Sequence, residues 1–143
     1  MTATSREVVE QVLRASLDQD LETIVGLMAP EGYIEWPYRP AGVPARLQGR
    51  TAIREHLTKA AKAFITFDEY RNVVMHETTD PEVVIVEYDA DGTVVATGAP
   101  FRQTVIAVFR VHDGQIQSYR DYINPLPLME ARASVTDTAR AGA

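Results

Sequence analysis

The hydrophobic period of this chain changes once, and that change constrains the fold more than any other feature. Up to Phe64, one short aromatic stretch apart, apolar residues recur at helical spacing; beyond it they alternate with polar ones up to Ile123. Val8, Val9, Val12, Leu13 and Leu17 mark the buried stripe of a first helix. Thr4 is placed to cap it, and Glu7, three residues on, can return the bond to the Thr4 N–H. Asp18-Gln19-Asp20 breaks that pattern and offers Asp20 as cap of a second helix, which carries Leu21, Ile24, Val25 and Met28 and ends at Ala29-Pro30. Residues 33–38 alternate and predict a strand, with Pro37 placing it at an edge or at a bulge. Residues 39–49 read as a loop. Thr51 then caps a third helix with Ile53, Leu57, Ala60, Ala61 and Phe64 inward.

The alternating part divides into strands at 67–78, 82–88, 101–111 and 115–123. Turn signals separate them at Asp80-Pro81, Asp91-Gly92, Gly98 with Pro100, and Asp113-Gly114. Helices first and hairpins afterwards give an α+β fold: a cone-shaped barrel in which a curved antiparallel sheet and about three helices enclose an apolar pocket. Residues 1–127 form one domain, and 128–143, Ala-rich and polar, a partly disordered tail. The outer sheet face needs cover, which a homodimer would supply.

Composition narrows the chemistry. A chain of 143 residues with 45% hydrophobic content suffices for one core. The absence of cysteine removes disulfides, thiolate metal sites and a cysteine nucleophile. A net charge of −6 argues against a dedicated nucleic-acid binder. The first helix carries Arg6, Glu7 and Glu10 where a leader would be apolar, and no apolar run is long enough to span a bilayer. The expectation is a cytoplasmic protein with a small-molecule substrate and neither nucleic-acid nor membrane partner. His56, His76 and His112 are too scattered for a metal site, and no cofactor is expected.

Two residues stand out as acid/base candidates. Asp121 shares a strand face with Tyr119 and Ile123. A carboxylate there is either ion-paired, with Arg102, Arg110 or Arg120, or held in an apolar cavity that raises its pKa towards the working range of a catalyst. His56 flanks the apolar stripe of the third helix, as a boundary histidine or as a pocket group able to shuttle a proton. His76 and His112 read as surface residues. Trp36, Tyr33, Tyr119, Ala60 and Glu87 complete the set of substrate-facing candidates.

Gly49-Arg50-Thr51-Ala52-Ile53, following two short helices and an aromatic strand, resembles the nuclear transport factor 2-like superfamily, which includes ketosteroid isomerases and SnoaL-like polyketide cyclases. His56 within Arg54-Glu55-His56, Glu77-Thr78-Thr79-Asp80-Pro81, Val86-Glu87-Tyr88-Asp89, Asp113-Gly114-Gln115-Ile116 and Tyr119-Arg120-Asp121-Tyr122-Ile123-Asn124 are similar to the phenazine-biosynthesis A/B family. That resemblance implies proton handling by Asp121, standing where the family has glutamate, and by His56. A family serine falls on Ala60, which cannot hydrogen-bond a substrate. The shorter Asp and the lost hydroxyl put the phenazine substrate itself in doubt. SnoaL-like cyclases use an aspartate at the position of Asp121. The ketosteroid-isomerase base falls on Trp36, and strand 101–111 has no carboxylate. The resemblance therefore implies a cofactor-independent cyclase, isomerase or condensation catalyst of bacterial secondary metabolism. The alternatives are a non-catalytic binding protein, or an epoxide hydrolase needing an Asp-Arg-Asp group from residues such as Asp89, Arg102 and Arg110.

Overall fold

A computed structural model describes residues 2–60 and 64–141, without side-chain detail for Ala60 and 137–141. The elements run α1 (Ser5–Leu17), α2 (Leu21–Leu27), β1 (Met28–Glu35), β2 (Arg46–Gln48), α3 (Arg50–Ala60), β3 (Ile65–Glu77), β4 (Val83–Val94), β5 (Pro100–His112), β6 (Gln115–Ile123) and α4 (Leu126–Ala141). The six strands form one sheet in the order β2-β1-β6-β5-β4-β3. Neighbours are antiparallel except β1 and β6, which run parallel, so the sheet is mixed where alternation alone suggested an antiparallel one.

Local chemistry explains the element ends. At α1 the Glu7 N–H donates to Thr4 Oγ1 and the Thr4 N–H to Glu7 Oε1, each at 3.2 Å. Asp20 Oδ1 accepts from the Thr23 N–H at 3.2 Å and starts α2. Asp113 and Gly114, both at positive φ (49° and 75°), form the tight turn joining β5 and β6.

Several boundaries differ from expectation. β1 starts at Met28, directly after α2, and ends before Pro37, so Pro37 lies outside the strand. Its first half carries no alternation because the pairing with β6 slips between Met28 and Tyr33. The sheet edge is instead β2, within the segment read as a loop. Thr51 lies inside α3, which begins at Arg50 after Gly49 (φ 88°). Asp91-Gly92 is not a turn: β4 continues through it to Val94. Gly92 is needed there because a Cβ would stand 2.2 Å from the Thr66 carbonyl oxygen of β3. The chain turns later, where Gly98 adopts φ 73°. The segment after Pro127 carries a fourth helix, α4. Ala61 lies outside the described residues.

The helices lie against one face of the sheet. Val8, Val9 and Val12 of α1 and Ile53 of α3 meet Val84 and Val86 of β4, Ala107 and Phe109 of β5, and Ile116 of β6, all almost wholly buried. β5 alternates buried and exposed along its length, so Phe101, Gln103, Val105, Ala107 and Phe109 face inward. Away from the packed α1 side this inner face opens into a cavity.

Candidate active site

Asp121 stands on the inner face of β6, opposite Ala107 of β5. The small alanine leaves room that a larger residue would fill. The parallel pairing of Ile34 with Tyr119 and Glu35 with Arg120 carries the chain just past β1 alongside Asp121. Trp36 Nε1 accordingly donates to Asp121 Oδ2 at 3.2 Å, while Oδ1 is buried with no partner. Burial pushes the Asp121 carboxyl up to about 7, against the opposing effect of the Trp36 hydrogen bond. Among the described residues Asp121 makes no ion pair with Arg102, Arg110 or Arg120, which turn instead to Asp91, Asp80 and the Tyr122 ring.

His56 projects from α3 with its ring 5.2 Å from that of Trp36. Burial, and then the charge of Lys59, lower its pKa, so the imidazole is neutral at pH 7 and offers one donor and one acceptor nitrogen. Trp36, His56 and Asp121 border one cavity of about 350 Å³ whose other walls include Phe67, Phe101, Ile123 and Leu128, with Gln103 and Arg132 as further polar groups. A second space of about 240 Å³ shares Trp36, His56, Ile65 and Phe67 with it and extends to Ser16 and Gln19.

Beneath the carboxyl lies a group of tyrosines. The rings of Tyr70 and Tyr88 are 4.6 Å apart, Tyr119 packs 4.2 Å from Phe109, and Tyr70 Oη is 2.8 Å from Ser16 Oγ. The Tyr88 and Tyr119 hydroxyls influence each other. Burial first, with the Asp121 charge contributing, pushes all three phenols up, so they stay protonated.

The structure thus gathers Asp121, His56 and Trp36, with Tyr119 beside them in the tyrosine group. It separates the remaining candidates. Tyr33 lies under the Arg46 guanidinium, 3.8 Å from its ring centre, away from the cavity. Glu87 is exposed and bonded to His76 Nε2 at 2.6 Å, because alternation puts it opposite Val86 and Tyr88. Ala60 ends α3, but its side chain lies outside those described. His112 is exposed and bonded to Glu82 at 2.5 Å. Asp89 bonds Asn72 and Thr104, Arg102 bonds Asp91, and Arg110 bonds Asp80, none of them bordering the cavity. The Asp-Arg-Asp group of an epoxide hydrolase is therefore not assembled from these residues. Among the described residues no three His, Asp or Glu cluster as a metal site, and no helix is long and apolar enough to cross a membrane. The sequence reading missed Gln103, which the alternation of β5 already turns inward. It also missed Arg132, for which no sequence signal exists.

Residues 9–119 match the SnoaL-like domain family. An uncharacterised PhzA/B-like protein of Pseudomonas aeruginosa is 34% identical over 136 residues, 95% of each chain. The crystal structure of a candidate isomerase from Bacillus subtilis superposes with a TM-score of 0.82 at 32% identity, covering 92% of this chain and 96% of that one. A nuclear transport factor 2-like protein from Burkholderia xenovorans shares the fold, with a TM-score of 0.71 at 21% identity over 92% of this chain and 98% of its own. With the match running from α1 to β6 and the α+β cone in place around its cavity, the chain belongs to the SnoaL-like family.

Proposed function

We propose that this protein is a cofactor-independent acid/base enzyme that moves a proton on a small cyclic carbonyl compound of bacterial secondary metabolism, in a cyclisation, isomerisation or condensation. The observation that carries this reading is Asp121: a carboxyl with one buried, unpartnered oxygen, at the wall of an apolar cavity, with a pKa of about 7. Such a group is near half ionised at neutral pH. It can remove a proton next to a carbonyl in one step and return it in the next. Trp36 orients the carboxyl through its Nε1–H. Neutral His56 supplies a hydrogen bond to the carbonyl oxygen as negative charge develops there. The likeness to a candidate isomerase supports the class of reaction. The absence of any carboxylate on the inner face of β5 disfavours the ketosteroid-isomerase route.

The test is proton exchange at the α-carbons of 2-tetralone in D₂O, followed by NMR. The protein is expected to accelerate exchange, with the rate rising with pH through about 7, the Asp121 value. Asp121→Asn is expected to lose about 100-fold or more. Exchange at the buffer rate, with the ketone bound, would instead favour a binding protein. We also propose that a second copy of the chain covers the outer sheet face, where Tyr122, Ile106, Glu87 and Val74 form one row across β6, β5, β4 and β3.

A further inference from the structure

Gln103 is the one polar side chain among its inward neighbours on β5. Phe101, Val105, Ala107 and Phe109 around it are apolar, and Gln103 itself is only 6% exposed, at the wall of the cavity that holds Asp121. Its Nε2 donates to the Asn124 carbonyl oxygen at 3.1 Å. That bond settles the amide orientation, because a carbonyl can only accept: the nitrogen faces Asn124, and Oε1 is turned away from it. Oε1 has no hydrogen-bond partner among the described residues. Fastening the end of β6 accounts for the nitrogen but not for the oxygen. Oε1 is not sealed in the core: among the described residues the buried atom without a partner is Asp121 Oδ1, so the Gln103 oxygen stays open towards the cavity it lines, free to accept a hydrogen bond from what binds there.

The register sets where that acceptor lies relative to the carboxyl. Asp121 faces Ala107. Gln103 is four positions away on β5, roughly 13 Å of strand at about 3.3 Å per residue, and both side chains border one cavity. We propose that Gln103 Oε1 is a specificity-determining acceptor. It takes a hydrogen bond from a hydroxyl or amino group on the edge of a ring ketone opposite the carbonyl that Asp121 serves. This rests on the acid/base reading of Asp121. A ring with donor and carbonyl on the same edge cannot satisfy both ends of the cavity, and one without a donor leaves Oε1 unpaired.

The test is equilibrium binding, by calorimetry, of 2-tetralone, 6-hydroxy-2-tetralone and 6-methoxy-2-tetralone to the full chain. The 6-hydroxy compound is expected to bind about tenfold tighter than the other two, the methoxy group being unable to donate. Gln103→Met is expected to erase that preference, and Asp121→Asn to keep it. Equal affinity for all three ketones, binding of none of them, or a preference undiminished in Gln103→Met would each overturn the proposal. Should Gln103→Met not fold, the ranking of the hydroxy and methoxy compounds by the unaltered protein still decides. If the acid/base reading alone is wrong, exchange fails while the hydroxyl preference in binding remains.

Discussion

A carboxyl that is useful at neutral pH is one the fold holds at a cost, and Asp121 makes the cost measurable. An unfolded aspartate titrates near 3.9, whereas the folded group titrates at about 7, raised chiefly by burial. Between those values the folded chain holds a proton that the unfolded chain has released. Stability must therefore fall as pH rises from 4 through 7, by up to about 4 kcal/mol at about 1.4 kcal/mol per unit. Urea unfolding at pH 5 and pH 8 is expected to show about 2.7 kcal/mol of this loss in the unaltered protein, the part lost between pH 5 and 7, and to show most of it gone in Asp121→Asn, which is the more stable of the two at pH 8. Asp121 was legible in the sequence because alternation within one strand identifies its face. The same rule, applied to Val86-Glu87-Tyr88, turns Glu87 outward, where it meets His76. Trp36 was legible as an aromatic candidate but not as the partner of Asp121. That contact joins residues 85 positions apart and arises from a parallel pairing that no local pattern announces.

At the scale of elements, the sheet is shaped where strands approach too closely for a side chain. Gly92 lies in extended β4 at the point where the register with β3 shifts between Phe67 and Glu69. Its backbone is unstrained, and the constraint is contact with the Thr66 carbonyl oxygen. Gly92→Ala is expected to lower stability by about 2–4 kcal/mol, since backbone and not a flexible side chain would have to move. Thermal unfolding checks it. The helices were legible from their stripes and caps, while β2 was not, since three residues carry no period. Asp91-Gly92 carried a genuine turn signal that strand contact overrides. In α4, Arg132 reaches the Ala41 carbonyl oxygen at 2.9 Å and ties the last helix to the loop after β1 at the cavity rim.

At the scale of the whole molecule, the inner face of the sheet is spent on core and cavity, and its outer face carries an apolar row. Ile106 is 43% exposed and Val74 47%. With Tyr122 they lie in one line across the sheet, interrupted by the Glu87–His76 pair. An exposed row of this kind fits a self-complementary, two-fold contact. In analytical ultracentrifugation the unaltered protein is expected to sediment as a dimer and Ile106→Lys as a monomer, without change in thermal unfolding of the isolated fold beyond that lost with the contact.

The parallel seam between β1 and β6 also has a temporal consequence. Trp36 and His56 are made early in synthesis, yet the carboxyl they flank arrives only with the last strand. Closing that seam is a long-range event, of the kind that slows folding because chain entropy is lost before contacts reward it. A nascent chain halted at Gly114 would hold the tryptophan and the histidine but have nothing for them to orient. On the proposed acid/base role of Asp121, proton exchange is expected only once the final hairpin docks, and ketone exchange by a refolding sample would time the completion of the fold.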